Sequence, residues 1–233
     1  MSRLSYIKER VKCVNLSLFD PDYTFKREII NFFPKNKFDN VLDYGAGNSP
    51  WEKFIQFRNY HKADINQNIK NDINTIIKIG EPLPLKSSIF DLVLLMDVLA
   101  HTSNFDFTIR ECNRLLKENG NIVISTPFIY RENETPFDYF RATSFGIEDV
   151  LLRNNFKIKK IKKIGNIFFT IFSLINENHI KNGENIRLTF FGRLANKLFR
   201  SLLPIFNKTI FLYSPNDDDG IYHHLLVFAT KAR

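Results

Sequence analysis

Val41-Leu42-Asp43-Tyr44-Gly45-Ala46-Gly47-Asn48-Ser49-Pro50-Trp51 is the stretch of sequence that decides the fold. Two apolar residues lead into an acid, and two glycines follow one residue apart. A buried strand that ends in a tight glycine turn has this composition. Because glycine has no Cβ, the backbone can turn sharply there and let a ligand come close. A short helix is predicted to begin near Pro50, and its first N–H groups would face that ligand.

Apolar periodicity on both sides of this turn predicts an alternation of strands and helices. Strands are predicted at 38–43, 60–65, 71–79, 89–96, 121–126, 156–164 and 221–230, and the longer helices at 20–33 and 103–117. The first of these helices would be capped by Asp20 and the second by Ser103. Strands that alternate with helices are typical of an α/β fold in which helices cover a parallel sheet.

The composition excludes several classes of protein. Among 233 residues there are two cysteines, Cys13 and Cys112, and neither lies in a Cys-x-x-Cys motif, so no disulfide framework and no metal site are expected. Residues 1–12 are charged throughout and lack the apolar core of a signal peptide. The longest apolar run, 164–175, is shorter than the roughly 20 residues that cross a bilayer. We therefore expect a cytoplasmic protein.

The net charge of +8 is concentrated in one segment. Residues 151–213 contain 12 lysines and arginines against two acids, whereas the rest of the chain carries 21 basic and 23 acidic residues. A partner that recognises positive charge should therefore contact this segment. We interpret the chain as one domain, 1–233, with an N-terminal helical segment at 1–37, a core at 38–164, a basic amphipathic helical insertion at 165–220 and a final strand at 221–233.

A helical projection of 191–206 separates apolar from basic side chains. One face carries Phe191, Leu194, Leu198, Leu202, Ile205 and Phe206, and the opposite face carries Arg193, Lys197 and Arg200. Such a helix could rest on an anionic membrane, which would place the protein at the inner face of the membrane. It could equally pack on the sheet with its basic face in solvent. Nucleic acid is the less expected partner, because no nucleic-acid-binding module accompanies the charge.

Polar residues follow the carboxyl ends of the predicted strands, where ligands of open parallel sheets bind. They are Asp43, Asp64, Asp97 and Thr126. A dinucleotide fingerprint would have a third glycine at the position of Pro50, and a Walker loop would continue with Gly-Lys-Ser/Thr. Neither motif is present, so the glycine turn by itself does not name its ligand.

The order and spacing of the motifs are more specific than the turn. Asp64 comes 17 residues after Gly47, and then follow Leu83-Pro84, Phe90-Asp91-Leu92-Val93, Asp97-Val98-Leu99-Ala100-His101 and the segment from Arg110 to Gly120. From about 38 to 127 the chain resembles the class I S-adenosyl-L-methionine (SAM)-dependent methyltransferases. The resemblance implies a three-layer Rossmann-like sandwich whose last strand runs antiparallel to the others.

The resemblance also implies roles for individual residues. SAM would be the cofactor, and the loop formed by Asp43, Gly45, Ala46 and Gly47 would pass under its methionine part. Asp64 matches the acid that binds the ribose hydroxyls, Asp72 matches a contact to the adenine amine, and Asp97 follows the next strand of the cofactor site. From the residues alone, Asp43 could instead cap the turn, and Asp64 could be a surface acid. Ser49 and Ala100 depart from the family pattern, which has glycine and glutamate at these positions.

The acceptor side is predicted in Pro136-Phe137-Asp138-Tyr139-Phe140-Arg141-Ala142-Thr143. This segment resembles methyltransferases of the type 11 kind that are found among bacterial surface-polysaccharide genes. By that resemblance Tyr139 and Arg141 would bind the substrate, and His101 or Asp138 would act as the general base. The alternatives are that His101 is a capping or core residue, that the rings are core, and that Asp138 and Arg141 form an ordinary ion pair.

The predicted function is methyl transfer from SAM to a hydroxyl of a small molecule or glycan, including a lipid-linked sugar, in the enzyme class EC 2.1.1.-. In this reaction the protein has to align the acceptor, exclude water and remove a proton. Two alternatives stay open: an RNA or protein methyltransferase, and a non-catalytic SAM-binding scaffold at the membrane. The sequence does not fix the oligomeric state.

Overall fold

The computed structural model describes residues 23–167 and 220–232, together with positions 169–171, 173–174, 198, 201–202 and 205. The predicted cap at Asp20 and most of the predicted insertion at 165–220 lie outside the described residues. The domain boundaries therefore stay predictions.

The described helices and strands follow the predicted alternation. In chain order they are α1 (Tyr23–Phe32), β1 (Lys37–Tyr44), β2 (Gln56–Asp64), β3 (Thr75–Ile76), β4 (Phe90–Met96), α2 (Phe105–Leu115), β5 (Leu116–Pro127), α3 (Ser144–Arg153), β6 (Phe156–Ile164) and β7 (His224–Lys231). Two single 3₁₀ turns, Glu52–Phe54 and Leu99–His101, lie after β1 and β4. The cap of α2 is Asn104, whose side chain accepts a hydrogen bond from the Phe107 N–H, and not the predicted Ser103.

The seven strands form one sheet in the order β3-β2-β1-β4-β5-β7-β6. β1 pairs in parallel with both β2 and β4, and β4 pairs in parallel with β5. β7 runs antiparallel to both of its neighbours, β5 and β6. The prediction of a mostly parallel sheet with an antiparallel last strand is confirmed.

Both faces of the sheet are covered, which makes the three layers. Alternate residues of β4 supply the two cores: Val93 and Leu95 pack with α2 and α3, whereas Leu92 and Leu94 pack with α1 on the other face. All four side chains are fully buried. A strand that is buried on both faces needs an unbroken apolar run, and this explains why β4 lacks the alternation of a half-exposed strand.

The short helix predicted near Pro50 is present as a three-residue 3₁₀ helix and not as an α-helix. The chain forms only the 3₁₀ turn Glu52–Phe54, because β2 already begins at Gln56 and leaves no room for an α-helix. The Trp51 ring fills this space and packs edge-on against Phe33. A row of helical N–H groups after the glycine turn is thus not part of the site.

The two edges of the described sheet are built differently. β3 is two residues long, whereas β6 spans nine residues and carries five lysines. Two of these lysines make contacts with α1: Lys160 lies over the Phe32 ring, and Lys162 pairs with Glu28. The other three are Lys157, Lys159 and Lys163.

Candidate active site

The parallel strands direct their carboxyl ends to one edge of the sheet. β1, β2 and β4 are neighbours in the sheet and are followed at this edge by the glycine turn, by Asp64 and by Asp97. β1 lies between β2 and β4: the chain runs from β1 to β2 and β3 on one side, and then crosses from β3 to β4 on the other side. A crevice opens at such a switch point, and ligands of this architecture bind there.

The glycine turn is fixed to β2 by its backbone. The N–H groups of Gly45 and Ala46 both donate to the Ala63 carbonyl oxygen, at 2.8 and 3.0 Å. Gly45 (φ +77°) and Gly47 (φ +52°) both adopt left-handed backbone conformations, which glycine reaches at little cost. A Cβ added to Gly45 would lie 2.4 Å from the Val98 side chain, whereas a Cβ added to Gly47 would meet no described atom within 4 Å. Gly45 therefore serves packing, and Gly47 borders open space.

Asp64 connects the end of β2 to this turn. Its carboxylate accepts a hydrogen bond from the Gly47 N–H at 2.7 Å. From the other side, the Asn68 side-chain amide donates to the Gly47 carbonyl oxygen at 2.8 Å. The two polar groups of Gly47 are thus held by side chains of the β2–β3 connection, which brings a carboxylate to the border of the open space.

Asp43 is a buried acid near the end of β1, just before the turn. It is 2% exposed, and its carboxylate accepts a 2.8 Å hydrogen bond from the Tyr60 hydroxyl. Burial raises the pKa of Asp43 to about 6, although the Tyr60 hydrogen bond acts in the opposite direction. Burial and the Asp43 carboxylate also raise the pKa of Tyr60. The hydrogen bond joins Asp43 to β2, and the role of Asp43 toward SAM stays a prediction.

Asp72 belongs to a charged cluster beside the turn. Its carboxylate accepts hydrogen bonds from Lys62 Nζ at 2.7 Å and from the Asn68 side-chain amide at 2.6 Å. Lys62 also pairs with Glu52 at 2.9 Å. The hydrogen bond from Lys62 holds the pKa of Asp72 below its ordinary value. The structure therefore brings Asp64, Asn68 and Asp72 together, with Asp72 already engaged by a cation.

Asp97 lies at the end of β4 in a left-handed conformation, with φ +59°. Its N–H donates to the Ser125 carbonyl oxygen at 2.9 Å, and its carboxylate accepts from the Ser125 hydroxyl at 2.7 Å. The same carboxylate oxygen lies 3.5 Å from His224 Nε2. Asp97 is thus fixed to β5 and faces the first residue of β7.

His101 tethers the predicted acceptor segment to the 3₁₀ turn after β4. Its Nδ1 lies 3.1 Å from the Phe137 carbonyl oxygen, and since a carbonyl only accepts, Nδ1 carries the proton. Next to it, the Ala100 carbonyl oxygen accepts from the Tyr139 N–H at 2.8 Å. These contacts favour the alternative in which His101 is a structural residue.

Asp138 and Arg141 form a bidentate ion pair. Arg141 also donates to the carbonyl oxygens of Phe140 and Arg131, and Asp138 accepts from the Asn133 N–H. Burial opposes the charge of Asp138, but the hydrogen bonds from Arg141 and Asn133 outweigh it and lower the pKa of Asp138. Both terminal nitrogens of Arg141 and both carboxylate oxygens of Asp138 are thus engaged within the protein, which favours the alternative of an ordinary ion pair. The roles of Asp138 as base and of Arg141 in substrate binding stay predictions.

The family of the chain follows from a comparison with protein-family models. The model described as a methyltransferase domain matches residues 20–154, which is more than half of the chain and contains every loop described above except the start of β7. The chain belongs to this methyltransferase family. Its sheet order and its motifs are those of the class I, SAM-dependent branch.

Individual relatives of this methyltransferase are distant. A ubiquinone biosynthesis O-methyltransferase from Pelagibacter ubique (strain HTCC1062) is 38% identical over 58 residues, which is 24% of this chain and 24% of that protein. The chain thus aligns with about a quarter of the length of this curated relative.

Solved structures share the fold at low identity. A putative sarcosine dimethylglycine methyltransferase from Galdieria sulphuraria has a TM-score of 0.54 and 13% identity, covering 90% of this chain and 83% of its own. Phosphoethanolamine N-methyltransferase 2 of Haemonchus contortus, solved with SAM, has a TM-score of 0.55 and 15% identity over 100% of this chain and 61% of its own. The [4+2]-cyclase SpnF has a TM-score of 0.55 and 14% identity over 90% of this chain and 80% of its own. These likenesses show the fold.

The residues of the methyltransferase fit the cofactor that the family implies. The open space beside Gly47 lets a ligand approach the backbone. The Asp64 carboxylate borders that space, and a carboxylate can accept from two ribose hydroxyls at once. SAM is therefore taken as the cofactor, with the glycine turn and Asp64 as the groups that would hold it.

Reasoning from sequence missed three polar residues of this edge. Nothing in the sequence around Asn68 marks it as a site residue. Its role becomes visible only in the structure, where it forms hydrogen bonds with Asp72, four residues further on. His223 precedes β7 and His224 begins it. Since β7 is antiparallel, its start reaches the edge at which the parallel strands end. The two adjacent histidines before an apolar strand could have been noticed in the sequence. Only the antiparallel direction of that strand places them at the site.

Proposed function

We propose that this methyltransferase transfers the methyl group of SAM to a hydroxyl of a small molecule or glycan. The observation that carries the proposal is the Gly47–Asp64 hydrogen bond beside open space at the carboxyl edge, within the region that matches the family. An oxygen acceptor is supported by the relative from Pelagibacter ubique, whose name describes an O-methyltransferase.

The chain has three tasks in this reaction. When bound, SAM supplies a methyl group that its sulfonium already activates. The glycine turn, Asp64 and Asn68 would hold the cofactor at the end of β1, and the neighbouring ends of β4 and β5 would orient the acceptor. The proton of the hydroxyl needs a base at the same edge, and the ion pair of Asp138 with Arg141 makes Asp138 the weaker candidate for this task.

A sugar is the acceptor that the exposed rings support best. Tyr139 and Phe140 are 45% and 40% exposed, and the segment that carries them is held to the 3₁₀ turn after β4. Aromatic rings at such a site can stack on the apolar faces of sugars. We therefore retain the glycan as the first candidate acceptor and Tyr139 as a residue that would contact it.

A lipid-linked form of the acceptor would bring the enzyme to the inner face of the membrane. Leu198, Leu202 and Ile205, which share one face of the predicted basic helix, are 56%, 45% and 61% exposed. Within the part of the chain that the structure describes, no helix is long and apolar enough to cross a bilayer. Contact with the membrane would then be peripheral, through apolar side chains next to basic ones.

Binding of SAM tests the first half of the proposal. We expect SAM and its demethylated product S-adenosylhomocysteine to raise the melting temperature of the protein, whereas ATP and NAD should not. The variant Asp64→Ala is the matched non-binding control. A melting temperature that neither SAM nor its product changes would refute the proposal.

Transfer of label tests the second half. Methyl-labelled SAM is incubated with an envelope extract of the source cells, and the product is divided and treated with protease, ribonuclease or glycosidase. Label that only the glycosidase releases supports a glycan acceptor, and label released by protease or ribonuclease indicates a protein or RNA acceptor. SAM binding without any transfer would favour the non-catalytic scaffold.

A further inference from the structure

Two adjacent histidines at the start of β7 form a buried pair. His223 and His224 are each 5% exposed, and their Nδ1 atoms lie 2.6 Å apart. Register places His224 opposite Pro127, at the end of β5, and opposite Ile164, at the end of β6. The pair therefore lies at the carboxyl edge of the sheet, beside the crevice assigned to the cofactor.

The short contact between the two rings requires a proton on one of the two Nδ1 atoms. At 2.6 Å, one Nδ1 has to donate and the other has to accept. With both rings neutral, a His224 that donated from Nδ1 would turn a bare Nε2 toward the Asp97 carboxylate 3.5 Å away, and the two lone pairs would repel each other. If His223 donates, His224 carries its proton on Nε2 and directs it at Asp97. Asp97 thus selects the arrangement in which His223 is the donor.

This arrangement leaves one group without a partner. His223 Nε2 is buried and makes no hydrogen bond within the described part of the chain, and in the selected tautomer it is a bare lone pair. The rings of Phe25, Tyr130 and Phe169 surround His223 at centroid distances of 5.3 to 5.9 Å. A buried acceptor without a donor is costly, and a ligand that brings an O–H or N–H would satisfy it.

We propose that His223 Nε2 is the base that takes the proton of the methyl acceptor, and that His224 and Asp97 position it and carry the charge. The inference rests on the proposed methyl transfer and adds the acceptor side of that site. As the acceptor oxygen bonds to the methyl carbon and the sulfonium–carbon bond breaks, the O–H proton moves to His223 Nε2. The proton on His223 Nδ1 then moves to His224 Nδ1, and the positive charge rests on His224 beside Asp97.

The surroundings explain why the charge should leave His223. Burial lowers the pKa of His223 to about 3, and the neighbouring His224 acts in the same direction, so this ring is neutral at rest. The titratable groups that contact the pair are Asp97, from the end of β4, and Tyr130, from the loop after β5. The other described contacts, with Phe25 and Phe169, are apolar. Asp97 is therefore the group that can stabilise the cation.

Nitrogen NMR of the histidines tests the tautomers without any acceptor. In the full chain labelled with ¹⁵N-histidine at pH 7, we expect one neutral ring protonated at Nδ1 with a bare Nε2, and a second protonated at Nε2, coupled through the short Nδ1–Nδ1 contact. Asp97→Asn should remove the preference for this arrangement. A His223 that is protonated at Nε2 in the unmodified chain would overturn the proposal.

Kinetics with the labelled-SAM assay separates this inference from the proposed function. His223→Phe keeps a ring among the three aromatics, and we expect it to lower kcat about 100-fold while SAM affinity changes less than threefold. In Asp97→Asn, the rising limb of kcat against pH should move to lower pH, because the cation loses its partner. His61→Gln, on β2, is the control and should keep the activity. If the unmodified chain and His223→Phe transfer methyl groups equally well, the proposed role of His223 as base is wrong, whereas the proposed methyl transfer stands. If the unmodified chain does not bind SAM, the proposed function itself is wrong.

Discussion

The Gly47 N–H donates a 2.7 Å hydrogen bond to the Asp64 carboxylate, which ties the loop after β1 to the end of β2. The contact joins the most recognisable motif of the sequence to an acid 17 residues further on. Because the carboxylate reaches the backbone at the residue that borders open space, the position of the loop and the binding of a ligand should depend on the same side chain.

Replacing this carboxylate should therefore weaken SAM binding. We expect Asp64→Ala to reduce SAM affinity at least tenfold in titration calorimetry, equivalent to about 1.4 kcal/mol or more. Asp64→Asn should lose less, because its amide oxygen can still accept from Gly47. Asp39→Ala, at an exposed position of β1, is the control. Unchanged affinity in Asp64→Ala would rule out the ribose assignment.

Replacing each of the two glycines of the turn by alanine should affect a different property, folding stability for Gly45 and SAM binding for Gly47. Gly45→Ala would force a Cβ to within 2.4 Å of Val98 and should lower the free energy of unfolding. Gly47→Ala meets no described atom, so its folding cost should be only about 1 kcal/mol for the left-handed backbone, while SAM binding is blocked.

Gly80→Ala is the matched control for the second variant. Gly80 also has a left-handed backbone, with φ +80° and no described atom within 4 Å of an added Cβ, but it lies in the loop before β4. Its stability cost should match that of Gly47→Ala, and its SAM affinity should be normal. If Gly47→Ala binds SAM as tightly as Gly80→Ala does, the open space is not the cofactor site.

The buried Asp43 should make stability depend on pH. Its pKa is about 6 in the folded chain against 3.8 ordinarily, so folding disfavours the charged form. Its contribution to stability is full below pH 4 and is lost as the pH rises through 6. Between pH 4.5 and 7.5, Asp43→Asn should gain about 2 kcal/mol relative to the unmodified chain in urea unfolding. The exposed Asp39→Asn should show no such gain, and a flat difference for Asp43→Asn would contradict the assignment.

Breaking the Asp138–Arg141 pair should affect stability before chemistry. Arg141→Ala leaves a carboxylate whose side chain is 4% exposed without its cation, and we expect a loss of about 3 kcal/mol in unfolding free energy. Arg153→Ala breaks solvent-exposed pairs with Asp149 and Asp106 and should cost about 1 kcal/mol or less. Equal losses in the two variants would show that Asp138 is not held as described.

Contact with the membrane can be tested by flotation. We expect the full chain to float with vesicles of anionic lipid at low salt and to be released by salt, because Debye screening weakens the attraction of the basic residues. The double variant Leu198→Glu and Leu202→Glu should sediment. Failure of the unmodified chain to float at low salt would remove the membrane from the proposal.

Much of the fold is predictable because the spacing of apolar residues along the chain indicates which faces of a helix or strand are buried. The run before Met96 predicts a strand buried on both faces, and β4 supplies both cores from alternate residues. The helix expected near Pro50 is limited to the 3₁₀ turn Glu52–Phe54, because β2 already begins at Gln56. Local sequence predicts elements well and their lengths less well.

The residues of the site also fall into those that the sequence predicts and those that only the fold brings together. Gly45, Gly47 and Asp64 are close in sequence to strand ends and could be predicted. The pairing of Asp97 with His224 joins residues that are distant in the chain, and only the reversed direction of β7 brings them together. Asp138 and Arg141 are visible as a motif, and the sequence leaves open whether they form an ion pair or line the acceptor site. The contacts of the folded loop favour the ion pair.

The lysines of β6 have a consequence for how copies of this chain can meet. A long unpaired edge strand invites another sheet to add to it, and charged side chains along the edge prevent this. β6 carries such charges, and the opposite edge of the described sheet, β3, is only two residues long. Strand addition between copies is therefore disfavoured at both edges of the described sheet, and we expect any dimer to use helical or loop surfaces instead.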